Sequence, residues 1–132
     1  MKGAGLGRFC WADLAATDAQ AAAAFYEALF GWSAERQAAN GGHFVRLRRA
    51  GQDAGSLYQM RREAIEAGAT SHWMPYVRVA DAEESAQRAA SIGGRVLVHP
   101  FQVDGFARVA VIADAVGAPL GLWEALGTDS PR

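Results

Sequence analysis

The chain repeats itself, and the repeat limits what it can fold into. The stretch WADLAATDAQAAAAFYEALFGW, residues 11–32, has an echo over residues 74–94. Asp18 answers Asp81, and Gly31 answers Gly94, at one common offset. Trp11 falls on Met74 at the same offset. Each copy reads as a short strand, a capped helix and a glycine stop. A unit of about 60 residues cannot readily bury its own apolar face. The 132 residues therefore read as a single domain of two modules, the first over about 8–60 and the second over about 73–126.

Each module continues with three more strands, which makes the class α+β. Residues 9–16 form the first strand, where side chains alternate between faces. Cys10, Ala12 and Leu14 then lie under a helix, with Cys10 buried; Phe9, Trp11 and Asp13 take the other face. Thr17 or Asp18 caps the first helix, Thr17 forming a capping box with Gln20. Ala22, Phe25, Tyr26 and Leu29 recur at helical spacing and predict its buried stripe. Strands over 33–37, 43–49 and 54–60 follow, with Asn40-Gly41-Gly42 as the turn between the first two. Residues 61–71 link the modules. The second module runs as a strand at 73–79, a helix capped by Asp81, and strands at 95–101, 107–113 and 119–124. Ala82, Ala86 and Ala89 supply that helix's buried stripe, and residues 114–117 turn the last hairpin.

The formal net charge of −1 gives no general attraction to nucleic acid or to an anionic membrane. No run approaches the ~18 apolar residues of a membrane span. One cysteine excludes an internal disulfide framework. A cytoplasmic protein is the expectation. His43, His72 and His99 share no ligand-like spacing. No nucleophile–base set stands at a recognisable spacing.

The order βαβββ–βαβββ, with FYEALFGW closing the first helix, resembles the vicinal oxygen chelate superfamily of glyoxalases, bleomycin-resistance proteins and extradiol dioxygenases. WMPYVRVAD, IGGRVLVHPFQV and ARVAVIADAVGAPLGLWEA in the second half carry the resemblance further. It covers residues 8–126. It implies curved mixed sheets around a shared cavity, and a homodimer. It also implies a divalent metal held from the first and last strand of each module. Those positions fall on Trp11, Met74, the neighbourhood of Gly55, and Gly121, none a ligand for a hard metal ion. The expectation is a branch with no metal and no cofactor.

With metal ligands gone, the same inward positions become cavity wall. Trp11, Met74, Tyr58, Tyr76 and Trp123 are the candidate ligand-binding residues, suited to an apolar or aromatic small molecule, with the Tyr58 phenol facing either the pocket or the helix. Strand parity puts Asp13 beside Trp11, and Arg78 on the face of Met74 and Tyr76. Asp13 and Arg78 are the candidate catalytic pair, set against a structural ion pair at a strand end. Whether the chain is an enzyme stays open. A small-molecule binder, a metal-free lyase or isomerase using Asp13, and a metal-dependent glyoxalase or dioxygenase with ligands elsewhere all remain. Arg46 and Arg48 read as solvated strand residues.

Overall fold

The computed structural model describes residues 5–39, 42–103 and 105–126. Its elements run β1 (Phe9–Ala16), α1 (Ala19–Phe30), β2 (Ser33–Ala39), β3 (Gly42–Arg49), β4 (Gln52–Gln59), α2 (Arg62–Glu66), β5 (His72–Arg78), α3 (Ala82–Ser91), β6 (Arg95–Val103), β7 (Ala107–Ala113) and β8 (Pro119–Ala125). This is the α+β class, as two βαβββ modules. The added element is the single-turn α2 in the linker. The turn at Asn40-Gly41 and the His43 side chain lie outside the described residues. No helix among the described residues is long and apolar enough to cross a membrane.

The chain divides into two compact units, with boundaries inside the first strand of each module rather than in the linker. One unit is Ala12–Met74; the other joins the described residues up to Trp11 to those from Pro75 onward. In the first unit the strand order is β2-β3-β4-β1, with β1 parallel to β4 and the other neighbours antiparallel. Leu14, Ala16, Leu47 and Leu57 form its core, against which Ala19, Ala22, Ala23 and Tyr26 of α1 pack. In the second unit the order is β6-β7-β8-β5, with β5 parallel to β8. Ala86, Ala110, Ile112 and Leu122 form its core. The narrow alanine stripe of α3 is as expected, with Ala82 and Ala86 buried and Ala89 packed alongside. Small side chains let that helix lie close on its sheet.

Both long helices start in the same way. The Asp18 carboxylate accepts from the Ala21 N–H, and the Asp81 carboxylate from the Glu84 N–H, both at 3.0 Å. Thr17 is not the cap: its own N–H donates to Ser71 Oγ. A second device is shared. Gln59, at the end of β4, accepts the Ala19 N–H at 2.8 Å, and Glu124, near the end of β8, accepts the Ala82 N–H at 2.9 Å. Each last strand thereby closes an otherwise orphaned donor of its own module's helix. Gly31 ends α1 in the left-handed region, φ 76°, where its N–H reaches Glu27 O. Asp81→Ala should lower stability by about 1 kcal/mol, measured by urea denaturation.

Two expectations about burial fail. Phe25 and Leu29 are 59% and 56% exposed, not part of the buried stripe. Helix α1 is apolar on both faces, so periodicity alone selects too many residues. Cys10 is exposed, because the core begins only at Leu14.

Candidate functional site

The two modules are equivalent in their parallel ladders, and that equivalence builds the site. In β1 and β4 the register pairs Asp13 with Ser56; in β5 and β8 it pairs Tyr76 with Gly121. Asp13 and Tyr76 are related by the same offset as the helix caps, whereas Ser56 and Gly121 stand slightly further apart in the chain. The same rung carries a carboxylate and a hydroxyl in one module, and a phenol ring over a glycine in the other.

In the unit Ala12–Met74, Ser56 Oγ donates to Asp13 Oδ1 at 2.7 Å. Ser56 is 4% exposed, the one buried polar residue among those described. Burial pushes the Asp13 carboxyl up to about 6, against the smaller opposing effects of the Ser56 hydrogen bond and of the His72 charge. Asp13 thus sits where a carboxylate exchanges a proton near neutral pH. Tyr58, two residues past Ser56 and on the same face, has its phenol raised by burial and then by the Asp13 charge. His72 starts β5, is exposed, and places Nδ1 2.9 Å from Thr70 O. Strand parity selects Asp13, whereas for Tyr58 it leaves open whether the phenol faces the pocket or the helix. It missed Ser56 and His72, since neither residue type alone marks a carboxylate's partner. Met74 is half-buried at the end of this unit.

In the other unit an aromatic cluster forms. Trp11 and Trp123 stack with ring centroids 4.8 Å apart and planes 24° apart. Phe106 meets both edge-on, at 5.5 Å from Trp11 and 5.4 Å from Trp123. Tyr76 meets Trp123 edge-on at 5.8 Å. Trp11, Trp123 and Phe106 are half-buried; Tyr76 is buried. Three of the five expected ligand-binding residues, Trp11, Tyr76 and Trp123, come together here, while Tyr58 feels the Asp13 charge and Met74 is the last residue of that other unit. Phe106 was missed: it precedes β7, outside any strand pattern, and only the β7–β8 pairing brings it near Trp123. Arg78 is half-buried, and its side chain passes over Gly5. Its expected partnership with Asp13 joins residues of different units. Arg46 and Arg48 both grip Asp53, at 2.7 and 3.0 Å, an ion-paired strand surface rather than freely solvated residues.

The metal implied by the superfamily does not fit these residues. Trp11 and Met74 offer an indole and a thioether. At Gly121 a Cβ would meet the Tyr76 ring at 2.2 Å, so the ring fills the place where a ligand side chain would start. The repeat counterpart of Gly121 is Ser56 rather than Gly55, and the Ser56 hydroxyl is committed to Asp13. At Gly55 itself a Cβ would stand 2.7 Å from Ala12 O. Among the described residues no group of three or more His, Cys, Asp or Glu is placed to hold a metal ion.

Comparison with known proteins agrees with the fold. The model of the glyoxalase-like domain matches residues 11–122. The putative glyoxylase CFP32 of Mycobacterium bovis is 32% identical over 117 residues, 87% of this chain and 44% of that protein. The anthracycline biosynthesis protein DnrV of Streptomyces peucetius is 32% identical over 127 residues, 86% of this chain and 45% of that protein. The chain therefore spans about half the length of the curated relatives it matches. Among solved structures, a Streptomyces coelicolor methylmalonyl-CoA epimerase in complex with 2-nitronate-propionyl-CoA superposes with a TM-score of 0.69 at 22% identity, covering 96% of this chain and 99% of that one. The Mycobacterium tuberculosis methylmalonyl-CoA epimerase gives 0.66 at 18%, covering 90% and 88%. Its repeated βαβββ modules, the match over residues 11–122 and these relatives together place the chain in the glyoxalase-like domain family of the vicinal oxygen chelate superfamily.

Proposed function

We propose that this chain binds a flat apolar or aromatic small molecule without a resident metal, using the Trp11–Trp123 stack as its platform. The observation that supports this reading is the stack itself, two half-buried indoles with Phe106 and Tyr76 set edge-on around them. Rings held by their neighbours lose little freedom when a further ring joins them, and each aromatic pair adds about 0.5–1.5 kcal/mol beyond area burial. The likeness to an anthracycline biosynthesis protein points to the same ligand class, since anthracyclines are fused-ring aromatics. Titration with a series of hydroxyanthraquinones, followed by tryptophan fluorescence, should give saturable quenching. Trp11→Leu should weaken binding about tenfold with the far-UV circular dichroism unchanged. Absence of quenching, or an unaltered Kd in Trp11→Leu and in Trp123→Leu, would remove the proposal.

A second reading rests on Asp13. A carboxyl near pKa 6, with Ser56 orienting it, is matched to accepting a proton from a carbon or phenol acid at neutral pH. On this reading Asp13 is the general base of a metal-free isomerase or lyase. Turnover should rise with pH through an apparent pKa near 6. Asp13→Asn should lower kcat by about 10²–10⁴-fold. Retained activity in that variant would leave binding as the whole function.

A further inference from the structure

Ionised Asp13 is a charge held largely out of water with no cation beside it. Its Oδ1 accepts from the Ser56 hydroxyl at 2.7 Å. Among the described residues nothing donates to its second oxygen, Oδ2, and no arginine or histidine stands within ion-pair distance of it. His72, at the start of β5, acts on the carboxyl through its charge alone. Arg46, opposite Ser56 on the same rung, is turned toward Asp53, which its Nε and one terminal nitrogen grip at 2.7 to 3.0 Å. A carboxylate without a counter-charge is costly to hold out of water, and a ligand that brings the counter-charge removes that cost on binding. Oδ2 is also reachable, since no enclosed side-chain oxygen or nitrogen among the described residues lacks a partner. Tyr58 stands beside it. Ser56 and Tyr58 are two residues apart in β4, so both take the face of Asp13. The ladder sets Tyr58 against Ala15, one diagonal step from Asp13 and about 7–8 Å away between backbones. Tyr58 is 40% exposed, and its hydroxyl has no hydrogen-bond partner among the described residues. Burial and then the Asp13 charge both keep the phenol protonated, so its oxygen stays neutral and can accept.

We propose that Asp13 Oδ2 and the Tyr58 hydroxyl together bind the protonated primary amine of a small organic ligand. This goes beyond both readings above: it needs neither the Trp11–Trp123 stack nor proton transfer by Asp13. The kind of cation follows from the acceptors. A guanidinium is best met by both oxygens of a carboxylate, but Ser56 already occupies Oδ1. A metal ion needs several ligating groups, and no three of His, Cys, Asp or Glu come together among the described residues. An ammonium is a compact charge with three rotatable donors. One carboxylate oxygen and one phenol oxygen on the same strand face suit it, the first supplying charge and the second a further acceptor.

The test sets 2-phenylethylamine against 2-phenylethanol, a neutral molecule of nearly the same shape, with affinities taken from backbone amide shifts of β1 and β4. At pH 8 the amine should bind about tenfold tighter than the alcohol, as a charge-assisted hydrogen bond predicts. At pH 4, with Asp13 protonated, the preference should disappear. A positive charge on His72 would oppose the amine in the same direction. Asp13→Asn keeps that histidine and separates the two, because it should remove the preference at pH 8 as well. Tyr58→Phe should weaken the amine about fivefold and keep the pH dependence. In the parent chain, saturating amine should move the titration of the Asp13 carboxyl to lower pH while the alcohol leaves it in place, a linkage that needs no variant. Equal affinity for the two molecules at pH 8, a preference that survives Asp13→Asn, or a titration the amine does not move would overturn the proposal. Unchanged amine affinity in Tyr58→Phe would overturn the part given to the phenol. None of these readouts is tryptophan quenching or turnover, so the amine site can fail while either reading above holds, and the reverse.

Discussion

Gly121→Ala is expected to destabilise the unit that holds it by about 3 kcal/mol, near the top of the range for overpacking. The added Cβ would stand 2.2–2.6 Å from three atoms of the Tyr76 ring, well inside contact distance. The ring is not free to swing aside. Tyr76 is buried, sits opposite Gly121 in the β5–β8 ladder, and packs edge-on against Trp123. Relief therefore requires moving either the ladder or the tryptophan stack. The cause can be isolated with a double-mutant cycle. In a Tyr76→Ala background the space beside position 121 is empty, and the same glycine substitution should cost less than about 1 kcal/mol. Urea denaturation of the four proteins measures both numbers. An equal cost in the two backgrounds would mean that backbone conformation, not the phenol ring, demands glycine. Gly121→Ala should also weaken any ligand held on the Trp11–Trp123 stack, because Tyr76 and Trp123 would shift together. It follows that any larger side chain at this position would disturb the aromatic cluster.

The repeat made most of the fold legible. Asp18, Gly31, Asp81 and Gly94 at a common offset give two helices with their ends, and alternation in residues 9–16 places Asp13 opposite the core-facing Leu14. What stayed hidden has definite physical reasons. The offset that relates the first strands and helices is slightly shorter than the one relating the last strands, so equivalence counted from the helix does not reach Ser56. The ladder register has to be known before Ser56 and Gly121 can be recognised as counterparts. The aromatic cluster escaped in part because Phe106 lies before its strand and meets Trp11 only through folding. The failure at Phe25 and Leu29 differs in kind. A helix whose two faces are both apolar gives no single hydrophobic direction, and the face that meets the core carries Ala19, Ala22, Ala23 and Tyr26. Sequence pattern records that a face is apolar, not what covers it.

Asp13 should make the protein less stable as pH rises from 4 to 7, and Asp13→Asn should abolish that loss. Its carboxyl goes from 3.8 in the open chain to about 6 in the fold, so the folded state binds the proton more tightly. Between those values the native protein holds a proton that the unfolded chain has released. Stability therefore falls as pH increases through this window, and the full penalty is present above the folded value. Two pKa units correspond to about 3 kcal/mol, and solvent reaching the half-buried carboxyl reduces the expected figure to about 2. The asparagine variant keeps an oxygen to accept from Ser56 but carries no charge to bury. At pH 8 it should be more stable than the parent chain by about 2 kcal/mol, while at pH 4 the two should nearly coincide. Ser56→Ala has the opposite effect, since the hydroxyl holds the charged form down: the Asp13 carboxyl should titrate higher still, and stability at pH 8 should fall by about 1–2 kcal/mol. Carbon-13 chemical shifts of the Asp13 carboxyl across pH 4–8 follow the titration directly, and thermal unfolding over the same range follows its energetic consequence. A midpoint near 4 with no pH-dependent gain in Asp13→Asn would show that water reaches the group freely.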